Sequence, residues 1–403
     1  MIIRGRAGAG VEIRAGEFGT SAIPWPTQGA ITYSGVNVTH DAAQALPAVS
    51  AAIRLVSETV GSLPLYVRDG EEKATGTPAW ALLMESPSAD LDPFGWMVQV
   101  AGSLEMWGNA YLQIIRRNGR IVELVPMDPS TVMVRRDPAD KRKRFDVGGP
   151  DGVRDLTPDD ILHIPGYTPP GHVMGLSPIG VHRNALGNGL ALQRFQSAYW
   201  LNDAAPGMVI KVPGNVTQQQ AQEILRVWNA SHGGGVMNAH KPAVLAGGAD
   251  LERIPINMED AAFVAQARMS VEDVARIWRL PPHMLGVGEP TGNTAEQESL
   301  RFLTFSLMPR LRRIEMGIAH GLPELFGGGT PLRPEFDTSD LLRADTPTKT
   351  QMVLSGRQAG WLSINDARRM FALPPISDGD QVQVTPVGGA PNLQPQGGAS
   401  AAE

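Results

Sequence analysis

A chain of 403 residues with 45 Gly, 33 Pro and no Cys is long enough for two or three domains, and without thiols it can hold neither disulfides, thiolate metal sites nor CxxC redox chemistry. Its net charge of −6 argues against a broad basic surface that grips nucleic acid. No apolar run approaches the ~18 residues of a membrane span, and the opening Met1 to Arg6 lacks the apolar core of a signal peptide, so a soluble, unsecreted protein with no membrane partner is expected.

The first forty residues read as a Gly- and Pro-rich arm that either docks on a neighbour through Ile13, Phe18, Ile23 and Trp25 or stays disordered. Regular structure is expected from Asp41. Val49, Ile53, Val56 and Val60 mark a helix ending at Gly61, and Leu63 to Val67 read as a strand. A second helix, Pro93 to Trp107, precedes two strands, Tyr111–Arg116 and Ile121–Val125, joined by the hairpin signal Asn118-Gly119. The basic run Lys141 to Arg144 reads as a solvated loop, with a phosphate contact as the alternative. Thr157-Pro158-Asp159-Asp160 looks like a helix cap closing this α+β region.

From Ser177 to Asp203 the pattern is helical, with Ile179, Leu186, Leu190, Phe195 and Trp200 apolar; Gly180, Gly187 and Gly189 within it suggest close packing on another helix. A compact insert follows: strand Met208–Val212, helix Thr217–Asn229, and short strands at Ala243–Leu245 and Leu251–Ile254. The next helix carries Phe263, Ala267, Val271, Val274 and Trp278 at helical spacing, with Arg268, Glu272 and Arg276 as an i, i+4 ladder on another face. Leu280-Pro281 stops it. After the loop to Asn293, a capping box of Thr294 and Gln297 opens a helix of roughly 40 Å. Leu300, Leu303, Leu307, Leu311, Ile314 and Ile318 form its apolar stripe, and Pro309 should kink it. A strand near Leu332 to Phe336 and helices at Thr348–Ala359 and Ile364–Phe371, the second capped by Ser363, complete the fold before a disordered tail.

Catalytic signatures are missing. The sequence has no HExxH, no GxxxxGK[ST] and no GxSxG. His163, in a strand-like Asp-Ile-Leu-His-Ile run, reads as a core histidine. Asp337 and Asp340 read as a capped helix start, with a divalent cation site for a DNA-processing enzyme as the alternative. No metal site or cofactor is expected.

The helix–loop–helix unit from Met258 to His320 is followed by Ala359-Gly360-Trp361-Leu362-Ser363-Ile364-Asn365-Asp366 and by Leu373-Pro374-Pro375-Ile376-Ser377-Asp378-Gly379-Asp380. It is preceded by Gly108-Asn109-Ala110-Tyr111, Leu124-Val125-Pro126-Met127, Asp160-Ile161-Leu162-His163-Ile164 and Gly175-Leu176-Ser177-Pro178-Ile179. In this order and spacing, over residues 40 to 382, the chain resembles the portal (head–tail connector) proteins of tailed bacteriophages and gene-transfer agents. The resemblance implies an α+β portal-type fold: an arm (1–40), an α/β wing (41–175, returning at 323–345), stem helices (176–203 and 258–279), a small α/β clip (204–257), a tunnel loop (280–294), a long kinked helix (295–322), a helical crown (346–380) and a tail (381–403). It implies a non-enzymatic ring homo-oligomer of twelve copies at one capsid vertex. The implied partners are the major capsid protein, the terminase large subunit, a head–tail adaptor and double-stranded DNA in transit. Val287, Gly288, Glu289, Pro290, Thr291, Gly292 and Asn293 would face that DNA; on the residues alone the same loop is an ordinary surface turn. A generic helical scaffold without a channel would share the charge ladder of Arg268, Glu272 and Arg276, which on the portal reading could set register between subunits.

Overall fold

A computed structural model describes residues 30–201, 208–211, 217–232, 250–253, 270–288, 295–327, 331–339, 346–371 and 373–382. The chain divides into two compact units, 1–337 and 338–403.

The first unit is organised on two packed helices, Pro47–Ser62 and Pro93–Trp107. In the first, Val49, Ala52, Ile53, Val56 and Val60 are buried on one face. Gly61 does not end it. The helix runs through it to Ser62, and a Cβ there would come within 2.6 Å of Val98 Cγ2 on the second helix, so close packing rather than helix termination calls for the glycine. The second helix starts and stops where its punctuation requires. The Asp92 carboxylate accepts from Gly95 N at 2.6 Å with Pro93 in the first turn, and Gly108 closes it in the left-handed region at φ 68°.

The strand Asn109–Arg117 leads through Asn118 (φ 51°) and Gly119 (φ 77°) into Arg120–Met127, and both positive angles are what a two-residue hairpin turn needs. Ile161–Pro165 pairs along the other edge, with His163 opposite Tyr111. Thr157 and Asp160 form a tight turn into that strand rather than a helix cap: the Asp160 carboxylate accepts from both the backbone and the hydroxyl of Thr157. A second antiparallel sheet, Val132–Arg136, Lys143–Gly149 and Gly152–Leu156, has no counterpart in the sequence expectation. Its inward residues Val132, Val134, Phe145 and Val147 pack with Tyr111 and Ile161. The basic run therefore only begins as a loop. Lys143 and Arg144 lie in a strand, where Arg144 pairs with Asp137 at 3.3 Å and Asp140 at 3.4 Å.

Leu65–Asp69 pairs with Glu72–Lys73 and, more than 250 residues later, with Leu332–Phe336, which completes this three-stranded sheet. Regular structure also begins earlier than Asp41, with a small hairpin of Ala30–Ile31 and Asn37–Val38; residues 1–29 of the expected arm lie outside the described residues.

The helical stretch after Ser177 splits into Pro178–Val181 and Arg183–Leu201. Ile179, Leu186 and Leu190 are buried, whereas Phe195 is exposed. The glycines answer to different neighbours. A Cβ on Gly189 would meet Ser270 Oγ of the helix 270–278 at 2.8 Å, which is the expected helix contact, but one on Gly187 would meet Thr32 of the small hairpin at 2.7 Å. Gly180 has only ordinary contacts with Ser177. In the insert, Met208–Lys211 pairs with Asp250–Arg253, and the helix Gln218–His232 is capped reciprocally by Thr217 and Gln220. The expected strand Ala243–Leu245 lies outside the described residues.

The second unit contains the helices Thr346–Gln358 and Ile364–Met370. Ser363 and Asp366 make a full capping box, and buried Asn365 ties the segment 376–380 down through Ile376 and Asp380. Trp361, Leu373 and Ile376 are exposed.

Candidate functional site

Three of the strings quoted above meet in one place. Asn109, buried at the end of the helix Pro93–Trp107, donates to the carbonyls of Trp107 (3.1 Å) and Gly175 (2.8 Å) and accepts from Gly175 N (2.8 Å) and His163 Nε2 (3.0 Å). Two donors and two acceptor positions are thereby all used, so the side-chain amide is fully satisfied. Because Asn109 Oδ1 can only accept, His163 Nε2 carries the proton; its Nδ1 faces Lys143 Nζ at 3.4 Å. Burial first, and Lys143 second, hold His163 well below the usual histidine range, so it is a neutral core histidine stacked on Tyr111. The backbones of Gly108, Gly166 and Gly175 touch: Gly166 N donates to Gly108 O at 2.7 Å, and a Cβ on Gly175 would collide with Gly108 O.

Ser177 extends this junction. Its hydroxyl donates to Met106 O (2.8 Å) and accepts from Gly180 N (3.1 Å), so its contact with His40 Nε2 (3.0 Å) is one in which the imidazole donates. His40 stacks on Trp107 with ring centres 3.4 Å apart, and burial lowers its pKa from 6.5 to about 4, against the opposing pull of Asp41 and Asp128. A folded-state pKa below the unfolded one means that the unfolded chain binds the extra proton. The stability due to neutral His40 is complete above pH 6.5 and is lost as pH falls toward 4, by about 3 kcal/mol at most. Urea unfolding at pH 7.5 and 4.5 should show that loss, added to a loss of the same sign from His163. His40→Gln should shrink the difference, and an unchanged difference would show that His40 is not held neutral.

The segment that the sequence singled out is built against this junction. The helix 270–278 buries Val274, Ala275 and Trp278. Trp278 Nε1 donates to Glu105 O at 3.3 Å. On its outer face Arg276 pairs with Glu272 at 3.0 Å, as the ladder predicted, and also with Asp273 at 2.6 Å; Arg268 lies outside the described residues. These exposed pairs contribute little to the stability of one subunit. Arg279 turns left-handed (φ 56°), Pro281 ends the helix, and a 3₁₀ turn, Pro282–Leu285, closes on Gly286. Of the candidate channel loop, Val287 and Gly288 are described, whereas Glu289, Pro290, Thr291, Gly292 and Asn293 are not; Thr294 of the predicted cap is also outside the described residues.

The long helix resumes as Ala295–Arg301, passes through a π-helical stretch, Phe302–Leu307, and continues as Met308–Gly321. Leu303, Leu307, Leu311, Ile314 and Ile318 are buried as expected, but Leu300 is 52% exposed. A π turn holds more residues than an α turn, so it rotates everything before it out of phase with the stripe. Pro309, which cannot donate a ladder bond, falls in the first turn after this stretch, where the wider hydrogen-bond spacing accommodates it. Sequence reasoning missed Glu105 and Arg310. Arg310 donates to Glu105 through Nε (2.7 Å) and Nη2 (2.9 Å), with both side chains about nine-tenths buried, and also to the carbonyls of Trp278 and Ser306. Ser306 Oγ donates to Arg279 O. This network ties the helix 270–278, the long helix and the helix Pro93–Trp107 together.

Asp337 ends the returning strand with its N–H on Pro64 O, and Asp340 lies outside the described residues. Among the described residues there is no cluster of three His, Cys, Asp or Glu that could hold a metal ion, and no helix is long and apolar enough to cross a membrane.

Solved structures of other proteins share this fold. A chain in the neck of an empty gene transfer agent particle superposes with a TM-score of 0.61 at 24% identity, over 82% of this chain and 91% of that one. An HK97-family phage portal protein from Corynebacterium diphtheriae gives 0.59 at 18% identity, over 77% and 99%. The architecture is thus of the portal type. The phage portal protein family profile matches residues 47–371. The probable portal protein of Streptomyces phage phiC31 is 33% identical over 375 residues, 87% of this chain and 79% of that protein, and the portal protein of Enterobacteria phage HK97 is 26% identical over 350, 83% and 81%. The chain belongs to the phage portal protein family.

Proposed function

We propose that this chain closes into a ring, of twelve copies by family resemblance, at one vertex of a phage or gene-transfer-agent head, and that double-stranded DNA enters and leaves through its centre. The family match over residues 47–371 carries this reading. The role is structural rather than enzymatic. The insert 204–257 would dock the terminase large subunit and then the head–tail adaptor, and the wing would meet the major capsid protein. The loop Val287 to Asn293 would line the channel. It contains no Lys or Arg, so it would let a duplex slide rather than hold its phosphates. Arg268, Glu272 and Arg276 would contribute to register between neighbouring stems.

Electron microscopy of the purified chain tests the first claim: rings with a central hole are expected, and a compact monomer overturns it. For the loop, Glu289→Lys with Thr291→Lys should leave rings intact and slow packaging at low salt, with recovery as salt rises, since each added lysine steepens the salt dependence by about one counterion. A packaging rate equal to wild type across that range would mean that DNA does not pass this loop.

A further inference from the structure

Three arginines converge where the long helix crosses the end of the helix 270–278, and they share one carboxylate. Arg310 already occupies both oxygens of Glu105. Arg313, one turn further along, is half-buried, and Arg279, whose side chain reaches the surface, sits in the left-handed region that costs a residue with a Cβ about 1 kcal/mol. The Arg279 and Arg313 guanidinium groups make no hydrogen bond or ion pair among the described residues. For Arg279, burial and then Arg310 depress the pKa against Glu105; for Arg313, burial and then Arg279 do so. Among the described residues, the cluster thus sets three guanidinium groups against one carboxylate.

The chain as a whole has the opposite imbalance, with 41 acidic against 35 basic side chains. Exposed Glu71, Glu72, Asp90 and Asp151 have no ion-pair partner among the described residues. The same long helix also exposes Phe305 (68%), Met308 (36%) and Met316 (64%). Arginine, methionine and aromatic side chains are enriched in protein–protein contacts. We infer that Arg279 and Arg313 receive a carboxylate from the neighbouring copy of this chain. The inference rests on the ring proposed above and names the chemistry of its subunit contact.

Cross-linking of the full chain tests it. Rings of the Arg313→Lys variant, assembled from a 1:1 mixture of ordinary and ¹⁵N-labelled protomers, are treated with a zero-length carbodiimide, which joins an amine to a carboxylate in direct contact. Links from position 313 to acidic peptides should be light–heavy in about half of cases, as random neighbours demand. The double variant Arg279→Ala, Arg313→Ala should raise the protomer concentration for half-assembly about tenfold or more at low salt, without lowering the unfolding temperature of the unassembled protomer. Links confined to one chain, an absence of links, or assembly at the wild-type concentration would overturn the inference. So would normal rings whose only change is weaker binding of a duplex fragment, which would assign the pair to phosphate. If the unaltered chain forms no ring, the portal-ring reading itself fails, and this inference with it.

Discussion

Glu105→Ala should destabilise the protein by about 3–5 kcal/mol, because it leaves Arg310 charged, buried and without its acid. The effect should exceed that of removing any exposed pair, such as Glu272–Arg276, which is worth about 0.3–0.5 kcal/mol. The carboxylate also offsets Arg279 and Arg313, so its removal leaves three guanidinium groups facing one another. Arg310→Met added to Glu105→Met should restore much of the loss, since two apolar side chains in place of a buried pair are often neutral. Urea unfolding of the single and double variants measures both steps. A single variant within 1 kcal/mol of wild type would mean that the Glu105–Arg310 contact is not buried.

Asn109→Leu should cost about 3 kcal/mol or more. It removes the partners of the Gly175 N–H and C=O and of His163 Nε2 together, and each polar group left unsatisfied in the interior costs about 1–3 kcal/mol. Asn109→Asp keeps the two acceptor contacts but loses both donors, so it should fall between Leu and wild type near neutral pH. Amide exchange should localise the damage: the Gly166 and Gly175 N–H groups should lose protection before those of the hairpin Asn109–Met127. If Asn109→Leu and Asn109→Asp are equally stable, the amide is not the hub of this junction.

What could be read from the sequence was what local chemistry encodes. The helix Pro93–Trp107 was read with its observed bounds, Asn118-Gly119 marked the hairpin, and Ser363 marked the last cap. The sheet 132–156 went unread although Val132, Val134, Phe145 and Val147 alternate correctly, because the charged residues between them resemble loop. Leu300 was misplaced since a π turn has no composition signature. The hub at Asn109 and the pair Glu105–Arg310 join residues 66 and 205 positions apart, and no spacing rule reaches that far. The candidate channel loop was legible only as a Pro- and Gly-rich interruption, since what such a loop faces depends on how copies assemble.

The two halves of the long helix are anchored to different neighbours. Near its C-terminal end, Gly317 and Gly321 let the backbone lie directly on the strand Ile161–Pro165; a Cβ on Gly317 would reach within 2.8 Å of Ile164, and one on Gly321 would collide with Leu162. That half is clamped to the sheet. Before it come Phe302–Leu307, where Phe302, Leu303, Ser306 and Leu307 are buried and Ser306 Oγ donates to Arg279 O, and a proline that offers no ladder bond of its own. A load applied at Ala295 would therefore reach the helix 270–278 through Ser306 before it reached the strand beneath Gly317. The same tie would pass that load on to the helix Pro93–Trp107, because Arg310, one turn after Ser306, holds Glu105.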